Sequence, residues 1–203
     1  MQSNWESVTY TVCVIMPPRE LWPPFVDIKK NHMNPRIKRP PYPHITLCSP
    51  FVHPRHFVEA KEKIRESLKN IEPFEINFAN FEVFKNNFSE TLYLAPESTT
   101  ELNELYNAIM SVLPESISKK QNHFEPHIGV GFFKGKNKEE ADVLQKKYQY
   151  QSSWTPLKFT VQEIYFLRRK SQDSPWEVED IVSLGNNERP SFFKIGDNTD
   201  SSK

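Results

Sequence analysis

The chain has 203 residues, 37% of them hydrophobic and 13% aromatic, which supplies one sizeable core and argues against general disorder. Basic and acidic residues balance at 26 each, so no whole-molecule field favours a long nucleic-acid tract, while a small local anion site stays open. No stretch approaches the roughly 20 apolar residues of a membrane span.

In chain order, Val8 to Met16 is β-rich and stops at Pro17, which predicts a strand. Arg19 to about His32 reads as a short helix interrupted at Pro23–Pro24. Asn34 to Pro43 is a basic, proline-rich loop, and His44 to Val52 is the next strand, with Pro50 near its end. Phe57, Ala60, Ile64 and Leu68 have helical spacing within Phe57 to Lys69. Phe74, Ile76 and Phe78 alternate as a strand does, and Phe81 to Phe84 is a candidate partner for it.

The second half repeats this scheme. Thr91 to Ala95 reads as a strand, Leu102 to Val112 as a helix stopped by Pro114, and His127 to Phe133 as a strand opened by Pro126. Ala141, Leu144 and Tyr148 mark a further helix. Phe159 to Arg168 reads as one long strand, with Trp176 to Leu184 its hairpin partner around Ser171–Pro175. From Asn186 onward the polar composition predicts a flexible C-terminal tail (186–203), leaving 1–185 as a single domain. Val8 to His44 and Thr91 to His127 span the same interval, since 44 − 8 and 127 − 91 are both 36. The simplest reading is an internal duplication: two similar lobes about a pseudo-twofold axis, each giving one histidine to a shared cleft.

Two short motifs carry chemistry: Pro43-His44-Ile45-Thr46-Leu47 and Pro126-His127-Ile128-Gly129-Val130. Strand alternation turns His44, Thr46 and Cys48 to one face and Ile45 and Leu47 to the other, and pairs His127 with Gly129 in the same way. Two opposed imidazoles suit acid–base work on a phosphodiester. A neutral ring removes a proton from the attacking oxygen, and a protonated ring gives one to the leaving oxygen; a pKa near 6.5 lets both forms coexist. Thr46 can donate to a non-bridging phosphate oxygen. The scheme needs no metal or other cofactor.

The motifs resemble those of the two-histidine (2H) phosphoesterase superfamily, which carries two copies of His-x-Thr/Ser-x. The longer runs, Tyr42-Pro43-His44-Ile45-Thr46-Leu47-Cys48-Ser49-Pro50-Phe51 and Phe124-Glu125-Pro126-His127-Ile128-Gly129-Val130-Gly131, are similar to its 2′-5′ RNA ligase-like branch. That resemblance covers residues 8 to 184. It implies a bilobal α+β fold, with two antiparallel sheets forming a V-shaped central groove and helices outside. It also implies metal-independent cleavage of 2′,3′-cyclic or 2′-5′ phosphodiesters of RNA or small nucleotides, with His44 and His127 catalytic. Gly129 departs from the pattern, standing where the family has Thr or Ser, and Phe132 follows Gly131 where relatives often have Arg or Gln. Lys134 can supply the positive charge. Strict alternation puts Phe132 on the core side and Phe133 on the cleft side, and a bulge at Gly131 reverses that.

Other candidates carry weaker signals. Arg39, with Arg36 and Lys38, sits in the loop before the first motif and can guide phosphates. Tyr42, Phe51, Tyr93 and Phe133 are candidates for stacking on a base; Tyr93 is the best placed, because Leu92 and Leu94 fill the core side of its strand. Each is also an ordinary packing residue in the plainer reading. His53, His56 and His123 invite a zinc reading, but no cysteine or carboxylate completes a set. Arg168-Arg169-Lys170 reads as a charged turn or as a grip on extended RNA. Cys13 and Cys48 are few enough to suggest a reduced compartment. Without a signal-peptide pattern, the expected location is the cytoplasm, with entry to the nucleus open. The expected partners are RNA ends or a small nucleotide, met by a monomer. Gly129 keeps a second function open, a binding module for RNA ends with little or no turnover, and a third is a structural domain with a vestigial cleft.

Overall fold

In the computed structural model, residues 7–8, 10–32, 42–121, 123–134, 138–150, 156–171, 174–186 and 189–198 are described. The basic loop with Arg36, Lys38 and Arg39 lies outside them. Thr11–Ile15 (β2), with every residue buried, starts the first sheet after a two-residue strand, Ser7–Val8 (β1). The run from Val8 to Met16 is thus two strands, because β1 pairs with Phe51–Val52 (β4) while β2 pairs elsewhere. Pro23 and Pro24 open the helix Pro23–His32 (α1) rather than interrupt it. First-turn residues have no intrahelical acceptor for an N–H, so proline costs nothing there. A 3₁₀ turn, Arg19–Leu21, leads into it.

The motif strand is likewise split, into Ile45–Cys48 (β3) and β4, with a cis Ser49–Pro50 bond between them. Phe57–Leu68 (α2) buries Phe57, Ala60, Ile64 and Leu68, the residues picked out by their spacing. Phe74–Lys85 (β5) is a single strand of 12 residues, not a folded-back pair. Its first part pairs with Leu157–Val161 (β8) and its later part with Ser89–Pro96 (β6). Thr100–Val112 (α3) and Glu115–Ser118 (α4) follow, then Ile128–Lys134 (β7) and Lys138–Gln149 (α5). The long strand expected over Phe159 to Arg168 breaks at Gln162, since β8 belongs to the second sheet and Glu163–Arg168 (β9) to the first. Glu177–Ser183 (β10) is the antiparallel partner of β9, as the hairpin reading required.

The fold is α+β. The first sheet has the order β10-β9-β2-β3 and the second β7-β6-β5-β8, with all pairings antiparallel. One continuous apolar core joins them. Cys13, Ile15, Ile45, Leu47 and Phe166 come from the first sheet, Phe78, Leu92, Leu94, Ile128 and Val130 from the second, and all helices contribute. The opposite face of the first sheet carries a second apolar cluster of Val12, Val14, Met16, Tyr165, Leu167 and Val178, covered by Trp22, Tyr42, Trp176 and Phe193.

Phe193 belongs to the segment expected to be a flexible tail, and over 189–198 that expectation is corrected. Phe193 is 1% exposed, stacked on Trp22 at 5.6 Å and edge-on to Tyr165 at 5.1 Å. Phe192 N donates to buried Glu163 (2.8 Å), Arg19 reaches Asp197 and the Asn198 carbonyl, and Val178 exchanges backbone bonds with Asp197 and Gly196. Two aromatics and a satisfied buried carboxylate outweigh the polar composition that suggested disorder. Among the described residues, no helix is long and apolar enough to cross a membrane.

Candidate active site

Each motif histidine stands one residue before an edge strand, β3 in the first sheet and β7 in the second. The two rings are held alike. His44 Nδ1 lies 3.0 Å from the Tyr42 carbonyl and His127 Nδ1 lies 2.7 Å from the Glu125 carbonyl. A carbonyl only accepts, so Nδ1 donates in both cases. That fixes the neutral tautomer and leaves Nε2 as the basic nitrogen. The proline between acceptor and histidine, Pro43 or Pro126, has a fixed φ and no N–H to compete for the carbonyl.

The strands also share an irregularity. In β3, Thr46 pairs with Val14 and Cys48 with Cys13, so Leu47 is the extra residue of a bulge. In β7, Gly129 pairs with Tyr93 and Gly131 with Leu92, so Val130 is extra. The two bulges fall at corresponding places, three residues past each histidine. A bulge swaps the faces beyond it. Cys48 therefore does not share the face of His44 and Thr46, as strict alternation predicted, but lies in the common core. In β7 the swap buries Phe133 and leaves Phe132 half-buried, with exposed Lys134 placing its ammonium 5.5 Å from the Phe132 ring.

The two motifs are bracketed by side chains that sequence reading missed. Buried Lys29 of α1 donates from Nζ to the same Tyr42 carbonyl that His44 uses (2.8 Å), while α1 packs along β7. Gln121, six residues before His127, accepts from Ser49 N (3.1 Å) and donates to the Pro50 carbonyl (3.4 Å). Tyr42 lies between His44 and Trp22, with ring centroids at 5.2 and 5.5 Å. Around His127, Phe84 and Tyr93 present edges or faces at 4.9 and 5.4 Å and stack on each other at 3.9 Å. Tyr93 Oη donates to Glu82 (2.9 Å); burial first, and then this bond, push its phenol upward, so it stays a proton donor.

Four aromatic residues considered for base stacking fill other roles. Tyr42 and Phe51 are fully buried, the latter against Phe57 and Phe166, and Tyr93 and Phe133 are 4% and 6% exposed. None has a face open to a nucleobase, because core and motif packing already covers them. Thr46 and Gly129 are half-buried on the histidine faces. His53 accepts from Arg55 N and His56 from Arg55 Nε, so these loop histidines shape the 3₁₀ turn Pro54–His56. Among the described residues, no group of three or more His, Cys, Asp or Glu is arranged to hold a metal ion. Both cysteines are free and buried.

The model of the 2′-5′ RNA ligase superfamily matches residues 17–173, more than half of the chain, and spans both histidine motifs. The chain belongs to the 2′-5′ RNA ligase superfamily. Solved structures agree on the fold of this superfamily member. TT0787 of Thermus thermophilus superposes with a TM-score of 0.59 at 16% identity, covering 88% of this chain and 100% of that one. E. coli LigT complexed with NADP+ gives 0.53 at 14% identity, covering 88% and 99%. Kluyveromyces marxianus Usb1 gives 0.51 at 11% identity, covering 88% and 98%. No curated protein matches the chain in sequence.

Proposed function

We propose that this superfamily member is a phosphodiesterase that opens 2′,3′-cyclic or 2′-5′ phosphodiesters of RNA ends or small nucleotides by paired-histidine acid–base catalysis. The observation that carries this reading is the duplicated frame. Each lobe holds a histidine by Nδ1 on the carbonyl two residues back, so both rings offer Nε2 for proton transfer. On a cyclic phosphate, one Nε2 takes a proton from water as its oxygen bonds to phosphorus. The other, protonated, gives its proton to the ribose oxygen whose bond to phosphorus breaks. The product is a phosphomonoester beside a restored hydroxyl. Thr46 donates to a non-bridging oxygen, and Lys134 adds positive charge at the rim. Every proton in this scheme moves through a side chain or water, so it runs without a metal. That E. coli LigT has been crystallised with 3′-AMP and with phosphate is in keeping with a nucleotide phosphate as ligand.

The test is hydrolysis of 2′,3′-cyclic nucleotides and 2′-5′ oligoadenylate with chelator present. His44→Ala and His127→Ala are each expected to lower kcat by about 10²–10⁴-fold, the usual contribution of a general acid or base. Activity that disappears with chelator, or that survives either substitution, overturns the proposal. The binding-only alternative draws on Gly129, which removes one hydroxyl from the second motif. A wild-type protein that binds cyclic-ended RNA without turning it over would favour it.

A further inference from the structure

The second motif lacks its hydroxyl, and nothing in the backbone demands that. Gly129 does not have positive φ. A Cβ built on it would meet one atom within 4 Å, the Thr91 Cγ2 at 4.0 Å, an ordinary van der Waals contact. Gly131 is the opposite case, since a Cβ there would strike the Phe133 ring at 2.9 Å. Gly129 thus leaves an accommodating space whose one close neighbour is a threonine on the adjacent strand.

Thr91 is on the correct face for chemistry. Along β6, Leu92 and Leu94 point into the common core, so Thr91 and Tyr93 point the other way. Tyr93 touches the His127 ring on that side. The bulge at Val130 places Thr91 diagonally beside Gly129 while pairing it with Phe132. Thr91 is half-buried, and among the described residues no hydrogen bond occupies its hydroxyl. Its Cγ2 faces Gly129, and one step between staggered rotamers exchanges Cγ2 for Oγ1 in that position.

The first lobe shows the reverse arrangement. There the motif strand carries the hydroxyl, Thr46, opposite Val14, and the β2 residue corresponding to Thr91, two before the strand partner of the motif position, is Val12. Val12 is apolar and 5% exposed. One lobe has a hydroxyl on the histidine strand and an apolar neighbour; the other has a glycine on the histidine strand and a hydroxyl neighbour.

We propose that Thr91 is the phosphate-contacting residue of the second lobe, donating from its neighbouring strand into the space that Gly129 leaves open. This deepens the phosphodiesterase reading and rests on it. The test compares Thr91→Val, Thr91→Ser, Thr46→Val and the double variant Thr91→Val/Gly129→Thr. The readouts are hydrolysis of 2′,3′-cyclic AMP, the Kd for inorganic phosphate, and thermal unfolding. Thr91→Val is expected to lower kcat/KM by about 10–100-fold, the range for one lost hydrogen bond to a charged group, as Thr46→Val does. Its phosphate affinity should fall as well, with unfolding unchanged. Thr91→Ser, which keeps the hydroxyl, should lose clearly less than Thr91→Val, and Gly129→Thr should restore much of what Thr91→Val removes. The proposal is overturned if Thr91→Val stays at wild-type rates while Thr46→Val and His127→Ala collapse, which leaves the phosphodiesterase reading intact. It is equally overturned if Thr91→Ser falls as far as Thr91→Val. A wild-type protein that neither hydrolyses cyclic AMP nor binds phosphate removes the phosphodiesterase reading, and Thr91's role with it.

Discussion

At the scale of single residues, the two glycines of β7 are alike in sequence and opposite in physics. Gly131 sits under the Phe133 ring and beside Leu92, so an added methyl overpacks the strand. Gly131→Ala is expected to destabilise the fold by about 1–3 kcal/mol. Gly129→Ala meets only the Thr91 Cγ2, at an ordinary van der Waals distance of 4.0 Å, and should be neutral, or stabilising by up to about 1 kcal/mol through the smaller entropy of the unfolded chain. Urea unfolding of the two variants checks this, and equal effects would contradict the packing described. The cysteines give a second residue-scale prediction. Burial drives the Cys48 thiol up to about 12, and burial together with Cys48 raises Cys13 well above the usual thiol range. Both therefore stay protonated and shielded. Native protein should be unreactive towards a thiol-specific disulfide reagent at pH 8, with both thiols titrating once denaturant is added. Sequence parity made His44 and Thr46 legible as sharing one face, because alternation needs only two correct neighbours. It failed at Cys48, where a bulge changes parity and nothing in the one-dimensional pattern marks it; in β7 the bulge offered at Gly131 falls one residue earlier, at Val130, and reverses Phe132 and Phe133 as that alternative required. By the same parity Thr91 was available, two residues before Tyr93, but a lone threonine in a strand is also an ordinary β-former.

At the scale of elements, α1 is the piece that ties one motif to the other lobe. Lys29 holds the segment ahead of His44, while His32, at the last position of the helix, meets Tyr148 of α5 at 2.7 Å and lies beside Phe133 of β7. Burial lowers the pKa of His32 below its ordinary 6.5, an effect opposed by Glu140 and reinforced by Lys147. Burial raises that of Tyr148, so the phenol donates and the neutral imidazole accepts. The sign follows from linkage. The unfolded ring binds a proton as the pH drops through about 6.5, while the folded ring resists until lower pH, so protons favour the unfolded chain. The contribution of His32 to stability is complete above 6.5 and is lost as the pH falls through the folded value. His32→Gln keeps an acceptor for Tyr148 without a titrating group. Its urea midpoint should change less than that of wild type between about pH 7 and pH 5, and parallel profiles would contradict this account. Element types were mostly legible from periodicity, as in α2 with its four buried residues. Connections were not, because pairing is a tertiary matter. A run read as one long strand over Phe159 to Arg168 contains a change of sheet at Gln162, and composition on the two sides of that residue is equally β-prone.

At the scale of the whole molecule, the C-terminal segment and the first histidine are ends of one column. Phe193 stacks on Trp22, Trp22 on Tyr42, and Tyr42 leans on His44, with centroid separations of 5.6, 5.5 and 5.2 Å. Lys29 adds a polar tie at the same point, through the Tyr42 carbonyl. The residues that hold His44 therefore come from both ends of the chain, Trp22, Lys29 and Tyr42 from its first quarter and Phe193 from its last residues, which is why inspection of the motif alone did not reveal them all. Glu163 anchors the far end, accepting from Tyr165 Oη and Phe192 N while 3% exposed. Phe193→Ala empties a fully enclosed site and is expected to cost about 3–5 kcal/mol. It should also loosen the column, and misplacement of a catalytic group by about 1 Å can cost up to about 100-fold in rate. Destabilisation alone does not slow the folded fraction, so the control is Leu105→Ala, an equally buried site on α3 outside the column. At a temperature where both variants are fully folded by circular dichroism, Phe193→Ala should show a reduced kcat on 2′,3′-cyclic AMP, while Leu105→Ala keeps the wild-type value. Equal kcat in the two variants would mean that the segment closes the first sheet without holding its histidine.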